Sequence, residues 1–201
     1  MRSKHDQHSP DTQGEMTGVD RDARGRLSRE HVGDVPESAK VMWHNQAVLT
    51  SFTWFGRKAQ KWDQRNPDLQ SFAHLAVAAL TGCSRCLDFG YLAAHNEGLD
   101  EAKDNEVPRW RESTVVTSLE RDVIEHTEAM VGERPPRIAD EWCARLLEQV
   151  DAPAMVEFTA SVAFANMSTW CNTALGIEAQ GFSKACTLQL AQPCARYATS
   201  A

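Results

Sequence analysis

The chain has 201 residues, of which 42% are hydrophobic and 24% charged, so it can bury a core and is not disordered as a whole. A formal net charge of −7 argues against a nucleic-acid partner, because such proteins need clustered Lys and Arg. No apolar run reaches the ~18–20 residues of a membrane span, and the N-terminus lacks the apolar core of a secretory signal. We therefore expect a cytoplasmic protein with no membrane partner.

The first 35 residues differ in composition from the rest of the chain. Residues 1–39 contain no aromatic side chain and only eight hydrophobic residues, and charges of both signs alternate through them. Such a segment buries too little apolar surface to offset its ordering entropy. The sequence predicts a mobile charged tail over residues 1–35 and a domain that begins at Pro36.

From Pro36 onward the apolar residues recur at helical spacing, and no strand-like alternation persists. Gly82, Gly98 and Gly176 are predicted to end helices, and Thr117 with Glu120 forms a capping-box pattern at a helix start. We predict an all-α domain over residues 36–182, a loop at Pro135–Pro136, and a C-terminal extension over residues 183–201. The predicted helices are Asn45–Trp62, Asn66–Leu80, Cys83–Asn96, Asp100–Val107, Thr117–Met130, Ile138–Val150 and Ala152–Leu175.

The most informative motif is the CxxC formed by Cys83 and Cys86 at the start of a predicted helix. Two cysteines at this spacing share one face of the first turn, close enough to form a disulfide. The positive end of the helix dipole stabilises a thiolate there. The pattern indicates a dithiol in which one sulfur attacks an electrophile and the other resolves the product as a disulfide. The other cysteines stand singly at Cys143, Cys171, Cys186 and Cys194.

Two other interpretations of the cysteine pair stay open at this point. A structural zinc site would normally use a second CxxC or CxxH, which the sequence lacks, so the single cysteines would have to complete it. Alternatively, both sulfurs are inert and simply pack, since free cysteine is common in protein cores.

The context of the motif resembles the carboxymuconolactone decarboxylase family, in its alkylhydroperoxidase D-like branch. The segment Leu75–Cys86 reads as a buried helix, a Thr-Gly turn and a helix-initial CxxC. The likeness continues in Leu87–Gly90, in Glu120–Met130 and in Val156–Ile177, and thus covers roughly residues 40–182. This resemblance implies an all-helical subunit that assembles as a homo-oligomer, a trimer or a hexamer.

For members with both cysteines the resemblance also implies a thiol peroxidase activity, without cofactor or metal. Cys86 then attacks the peroxide and becomes a sulfenic acid, and Cys83 closes the disulfide. A dithiol protein or a small thiol restores the reduced pair.

The sequence departs from the family pattern at two positions of the proton relay that activates the thiol. The best-characterised members carry a Glu twelve residues before the first cysteine, which here is Ser71, and a His four residues after the second, which here is Gly90. If the helices on either side of Gly82 pack antiparallel, His74 lies level with Gly90, at ~12 Å from the turn. We therefore expect His74 to fill that space and act as base for Cys86, or else to bond to backbone as a structural residue.

Several polar residues around these helices have a structural interpretation. Arg85 is expected to face solvent, the alternative being that its charge lowers the pKa of a thiol. Asp88 is expected to act locally near the start of its helix. Glu157, Asn166 and Asn172 interrupt the apolar final helix and are expected to tie neighbouring helices together, or else to line a cavity.

Two alternative functions remain beside the peroxidase. One is cofactor-free decarboxylation of a carboxymuconolactone-like substrate, which needs acid–base groups but no cysteine pair. The other is a non-catalytic family member in which the cysteines are structural.

Overall fold

The computed structural model describes residues 36–64, 66–132 and 141–185, and these residues form helices joined by short loops. No strand occurs among them, so the predicted all-α fold is confirmed. Inter-residue contacts separate Met1–Pro36 from the unit Glu37–Ala201. The predicted tail over residues 1–35, the Pro135–Pro136 loop, and Cys186 and Cys194 lie outside the described residues.

Eight α-helices and two 3-10 helices occur in these described ranges. The α-helices are α1 Glu37–Met42, α2 Gln46–Ala59, α3 Pro67–Leu80, α4 Ser84–Glu97, α5 Glu101–Glu106, α6 Ser118–Val131, α7 Glu141–Gln149 and α8 Ala152–Ala174. The 3-10 helices are Val107–Arg109 and Phe182–Ala185.

Local signals place the helix ends close to where the sequence predicts them. Asn66 caps α3, its side chain accepting the amide of Asp68 at 2.8 Å. The capping box at α6 is complete, because the side chains of Thr117 and Glu120 each accept the other's amide. Gly98, with φ of 70°, ends α4 in the left-handed conformation that favours glycine.

Helix α3 lies at the centre and packs against α4, α6 and α8. Its Leu75, Val77 and Ala78 are fully buried. One apolar cluster joins α3 to α4, the Val107–Arg109 turn and α6, and it contains both sulfurs of the CxxC. A second cluster joins the opposite side of α3 to α6, α7 and α8. The cysteine pair is therefore built into one of the two cores.

A segment after α8, which we call the C-terminal strap (residues 179–183), crosses the start of α4. The fully buried carboxylate of Asp88 accepts the backbone amides of residues 180–183 at 2.7–3.0 Å and the Ser183 hydroxyl at 2.7 Å. Ala179 N–H donates to Ser84 Oγ at 3.2 Å. Asp88 was expected to act only locally, but it also anchors a segment more than ninety residues away.

Helix α8 leaves one apolar face uncovered in the single chain. Val156, Ala163, Met167 and Trp170 recur at spacings of seven, four and three, and they are exposed. Val156 is 71% exposed and Trp170 62%, although large apolar side chains on one helix face normally find a partner. Within the described residues, none of the helices combines the length and the hydropathy that a membrane span requires.

Candidate active site

The turn between α3 and α4 positions the cysteine pair. Gly82 has φ of 65°, a left-handed conformation that lets the chain reverse between the two helices. Cys83 then serves as the N-cap of α4, and its sulfur accepts the amide of Cys86 at 3.2 Å. The Cys83 sulfur thus caps the N-terminal, positive end of the α4 dipole, and Cys86 lies in the first turn of this helix.

Cys83 and Cys86 are joined in a disulfide, with their Cα atoms 5.3 Å apart. The pair is therefore shown in its oxidised form. Both cysteines are buried, Cys83 at 2% exposed and Cys86 at 5%. The zinc interpretation required the single cysteines to join them, but Cys143 instead lies 3.4 Å from His126 Nδ1. No cluster of three or more His, Cys, Asp or Glu side chains suited to a metal occurs in the described part of the chain.

Asn172 completes the immediate surroundings of Cys86. Its Nδ2 group donates to Cys86 Sγ at 3.3 Å from the last turn of α8, while its Oδ1 atom is buried without a hydrogen-bond partner among the described residues. An amide donor stabilises a thiolate more than a neutral thiol, because hydrogen bonds to ionised groups are stronger. The sequence indicated only that Asn172 ties helices together, since nothing local shows which atom it reaches across 86 residues.

We expect Asn172→Leu to make Cys86 harder to ionise. Loss of one hydrogen bond to the thiolate should shift the pH dependence of Cys86 alkylation upward by roughly one pH unit. The measurement is the rate of iodoacetamide labelling against pH in a Cys83→Ser background. Asn166→Leu is the matched control, because Asn166 also lies on α8 with a buried, unbonded Oδ1. Equal shifts in both variants would contradict a direct role of Asn172.

His74 lies on α3 beside the cysteine helix, as the antiparallel packing predicts. Its Nε2 atom is 3.4 Å from the backbone carbonyl of Cys86. Because a carbonyl oxygen only accepts, this contact assigns the proton to Nε2 and leaves Nδ1 as the acceptor. Burial, aided by the charge of Arg85 and opposed by the bond to Cys86, lowers the pKa of His74. The imidazole is therefore neutral near pH 7 and able to accept a proton.

The space beside Gly90 is filled by His74. A Cβ atom added at Gly90 would lie 2.8 Å from Leu75 Cδ2, and 3.0 Å and 3.5 Å from Cδ2 and Nε2 of His74. The second departure from the family pattern, Ser71, donates its hydroxyl to Asp104 Oδ1 at 2.9 Å. The structure thus places His74 on the backbone carbonyl of Cys86, which is the contact expected of a structural histidine, and it places a carboxyl group next to Ser71.

Arg85, which was expected to face solvent, is only 4% exposed, so that expectation is wrong. Its guanidinium lies between the rings of Phe89 and Phe182, 5.0 Å from each centroid. Phe89 lies four residues after Arg85, about one turn further along α4. Phe182 belongs to the C-terminal strap. The residue is buried because the strap covers it, which the sequence around the motif does not reveal.

These features define an all-helical protein with a buried, helix-initial CxxC disulfide. The sequence profile of the carboxymuconolactone decarboxylase family matches residues 47–129, which include α3, the cysteine pair and most of α6. The resemblance predicted from the motif is therefore confirmed for this segment.

Known proteins with similar sequence or structure extend the likeness over most of the chain. The uncharacterized protein YnjA of Escherichia coli (strain K12) is 28% identical over 164 residues, covering 79% of this chain and 87% of that protein. A protein of unknown function from Agrobacterium tumefaciens, assigned provisionally as the antioxidant defence protein AhpD, superposes with a TM-score of 0.59 at 21% identity. The superposition covers 68% of this chain and 92% of the Agrobacterium protein, and it supports the alkylhydroperoxidase D-like fold.

A third similar protein is the debrominase Bmp8, solved as a cysteine-to-alanine variant in complex with 2,3,4-tribromopyrrole. It superposes with a TM-score of 0.67 at 15% identity, covering 80% of this chain and 86% of Bmp8. At these identities the structural comparisons establish the shared fold.

Proposed function

We propose that this protein is a thiol-dependent peroxidase that reduces hydrogen peroxide or alkyl hydroperoxides through Cys86 and Cys83. The observation that carries the proposal is the disulfide at the start of α4, in which each sulfur accepts an N–H donor: the amide of Cys86 for one and Asn172 Nδ2 for the other. Donors to both sulfurs favour the thiolate that a nucleophilic cysteine requires.

The reaction balances within the pair and one external reductant. The Cys86 thiolate attacks one peroxide oxygen, and the S–O bond forms as the O–O bond breaks. The thiol proton leaves with the second oxygen, as an alcohol from an alkyl hydroperoxide or as water from hydrogen peroxide. Cys83 then displaces hydroxide from the sulfenic acid, which gives water and the observed disulfide. A dithiol protein or small thiol reduces that disulfide by exchange, so the cycle suits a reducing compartment such as the cytoplasm.

The family resemblance and two contacts support Cys86 as the attacking cysteine. The family resemblance assigns the attacking role to the second cysteine of the motif, which here is Cys86. Asn172 donates to the Cys86 sulfur, and His74 lies against the same residue. The neutral imidazole of His74 is suited to accept the thiol proton, and we propose this role for it.

The uncovered apolar face of α8 supports assembly with further copies of the chain. Helix α2 adds to it, because Ala59 is its only buried residue and Trp54 is 61% exposed. We propose a homo-oligomer in which these faces are buried, with a trimer or hexamer as the forms implied by the family resemblance.

The decisive experiment counts thiols in the fully reduced protein after one equivalent of cumene hydroperoxide. The chain has six cysteines, and we expect rapid loss of two per chain, with equimolar cumyl alcohol. Cys171→Ser is the control, because Cys171 is a free cysteine on α8 beside Asn172 and lies outside the disulfide. Thiol loss no faster than for free cysteine in buffer would overturn the proposal.

Two further substrates in the same assay separate the alternatives. Loss of two thiols with release of bromide from 2,3,4-tribromopyrrole, and none with peroxide, would place the chain beside the debrominase Bmp8 in activity. Turnover of a carboxymuconolactone by the protein with both cysteines alkylated would indicate the decarboxylase. Inertness toward all three substrates would indicate a non-catalytic member.

A further inference from the structure

The side chain of Asn172 on α8 binds the cysteine pair through one of its two polar ends. Its Nδ2 group donates to Cys86 Sγ at 3.3 Å, whereas its Oδ1 atom is buried and has no hydrogen-bond partner among the described residues. A buried amide oxygen without a hydrogen bond is costly, because burial has already removed it from water. The amide therefore presents an unused acceptor beside the sulfur of Cys86.

The Oδ1 atom is close enough to Cys86 Sγ for one small molecule to contact both atoms. The nitrogen and the oxygen of an amide are about 2.3 Å apart, as its bond lengths require. Because Nδ2 is 3.3 Å from the sulfur, Oδ1 is at most about 5.6 Å from it. An oxygen atom that hydrogen-bonds to Oδ1 at ~2.8 Å can thus also lie ~3–3.5 Å from the sulfur, the separation from which a nucleophile attacks.

The two backbone carbonyls of the cysteine pair already have donors. The carbonyl of Cys83 accepts the amides of Cys86 and Leu87 at 3.0 Å and 3.1 Å. The carbonyl of Cys86 is 3.4 Å from His74 Nε2. A hydroperoxide that reaches the buried sulfur leaves water behind, so its O–H group needs an acceptor within the protein. The Oδ1 atom of Asn172 can supply that acceptor.

We propose that Asn172 Oδ1 accepts the O–H group of the hydroperoxide and holds the attacked oxygen against Cys86 Sγ. The inference rests on the proposed peroxidase function, and it makes the protonated hydroperoxide the species that this site selects. The thiolate forms the S–O bond as the O–O bond breaks, and the attacked oxygen keeps its hydrogen and becomes the sulfenic acid. The second oxygen takes the thiol proton. One amide thus stabilises the nucleophile through Nδ2 and orients its target through Oδ1.

The test compares two electrophiles that react with Cys86 in a Cys83→Ser background. Hydrogen peroxide carries an O–H group on the attacked atom, whereas bromoacetonitrile has neither an O–H nor an N–H group. Both reactions require the thiolate, so the ratio of their rate constants on the high-pH plateau is insensitive to the loss of the Nδ2 donor. Asn172→Leu should lower this ratio, peroxide over nitrile, by on the order of tenfold, because the peroxide alone loses a hydrogen bond.

Two further variants separate the acceptor from other effects of the substitution. Asn172→Asp keeps an oxygen acceptor but has no N–H group to donate to the sulfur, so both rates should fall and the ratio should not. Asn166→Leu is the matched control, because Asn166 also lies on α8 with a buried, unbonded Oδ1, and it should leave the ratio unchanged. Circular dichroism checks each variant for native helix content.

The outcomes distinguish this inference from the proposed function. An unchanged ratio in folded Asn172→Leu would overturn the role of Oδ1 while peroxide oxidation of Cys86 still supported the peroxidase. A similar fall of the ratio in Asn172→Asp or in Asn166→Leu would overturn it as well, since the fall would then not depend on this acceptor. If Cys86 is alkylated but reacts with peroxide no faster than free cysteine, the proposed function fails and the inference fails with it.

Discussion

Cys86→Ser is expected to slow peroxide reduction by at least about a hundredfold, whereas Cys83→Ser should keep the first oxidation step and lose the second. The reason is the division of roles at the start of α4, where the Cys86 sulfur accepts the Asn172 donor and the Cys83 sulfur caps the helix. Stopped-flow oxidation and mass spectrometry with a sulfenate trap measure the two steps separately.

The two serine variants should therefore give different products from the same peroxide. Cys83→Ser should yield one trapped sulfenate per chain, and Cys86→Ser none on the same timescale. Trapping on Cys83 in the Cys86→Ser variant, at the rate of the unsubstituted protein, would reverse the assignment. Cys171→Ser, one residue before Asn172 on α8, controls for a serine near the site.

The second large effect is expected from Asp88, which anchors the C-terminal strap. Asp88→Asn replaces an acceptor of five hydrogen bonds by a side chain that presents an N–H₂ group to some of the same donors. Because charge-assisted bonds in a buried site are lost, we expect the free energy of unfolding at pH 7 to fall by about 3 kcal/mol. Urea unfolding followed by circular dichroism measures it.

The pH dependence of that loss follows from the titration of Asp88. Burial alone would raise its pKa, but the bonds from Ser183, Phe182 and Gln180 outweigh burial and lower the pKa below its ordinary value of 3.8. The carboxylate thus contributes stability above pH 3.8 that is lost as the pH falls through the folded-state value. The difference in the free energy of unfolding between Asp88→Asn and the unsubstituted protein should be largest at pH 7 and should decrease below pH 3.8.

A matched substitution on α6 checks that the effect comes from the strap. Asp122 makes a partly exposed ion pair with Arg145 at 3.1 Å. Asp122→Asn should cost no more than about 1 kcal/mol, because exposed ion pairs contribute little. Equal losses in the two variants would show that the bonds from Asp88 to the C-terminal strap contribute no more than an ordinary ion pair.

The helices could be predicted from the sequence because their ends depend on neighbouring residues. Asn66, Gly98 and the Thr117–Glu120 box act within four residues of the ends they set, and all are found where expected. The sequence predicts a helix that starts at Ile138, whereas α7 is described from Glu141. Residues 133–140 lie outside the described ranges, so the predicted start is not tested. The position of His74 relative to Gly90 also followed, since the Thr81–Gly82 turn sets the register of two adjacent helices.

The remaining site contacts could not be predicted, because each joins residues far apart in the sequence. Asn172 meets Cys86 across 86 residues, and Phe182 covers Arg85 across 97. Asp104 reaches Ser71 from a different helix, 33 residues later. These contacts cannot be predicted from residue spacing along the chain, because they depend on how α3, α4, α5 and α8 pack. The sequence pattern points to the cysteine pair, and the tertiary fold supplies the residues that contact it.

The close approach of His74 and Leu75 to Gly90 leaves no room for a side chain at position 90 unless these neighbours move. A side chain at position 90 would have to enter the volume that the imidazole and Leu75 already occupy, starting from a Cβ only 2.8 Å from Leu75 Cδ2. A bulky residue at position 90 would therefore require the Leu75 side chain and the His74 ring to move. A homologue that carries a histidine at the position of Gly90 is therefore expected to carry a smaller or differently oriented side chain at the position of His74.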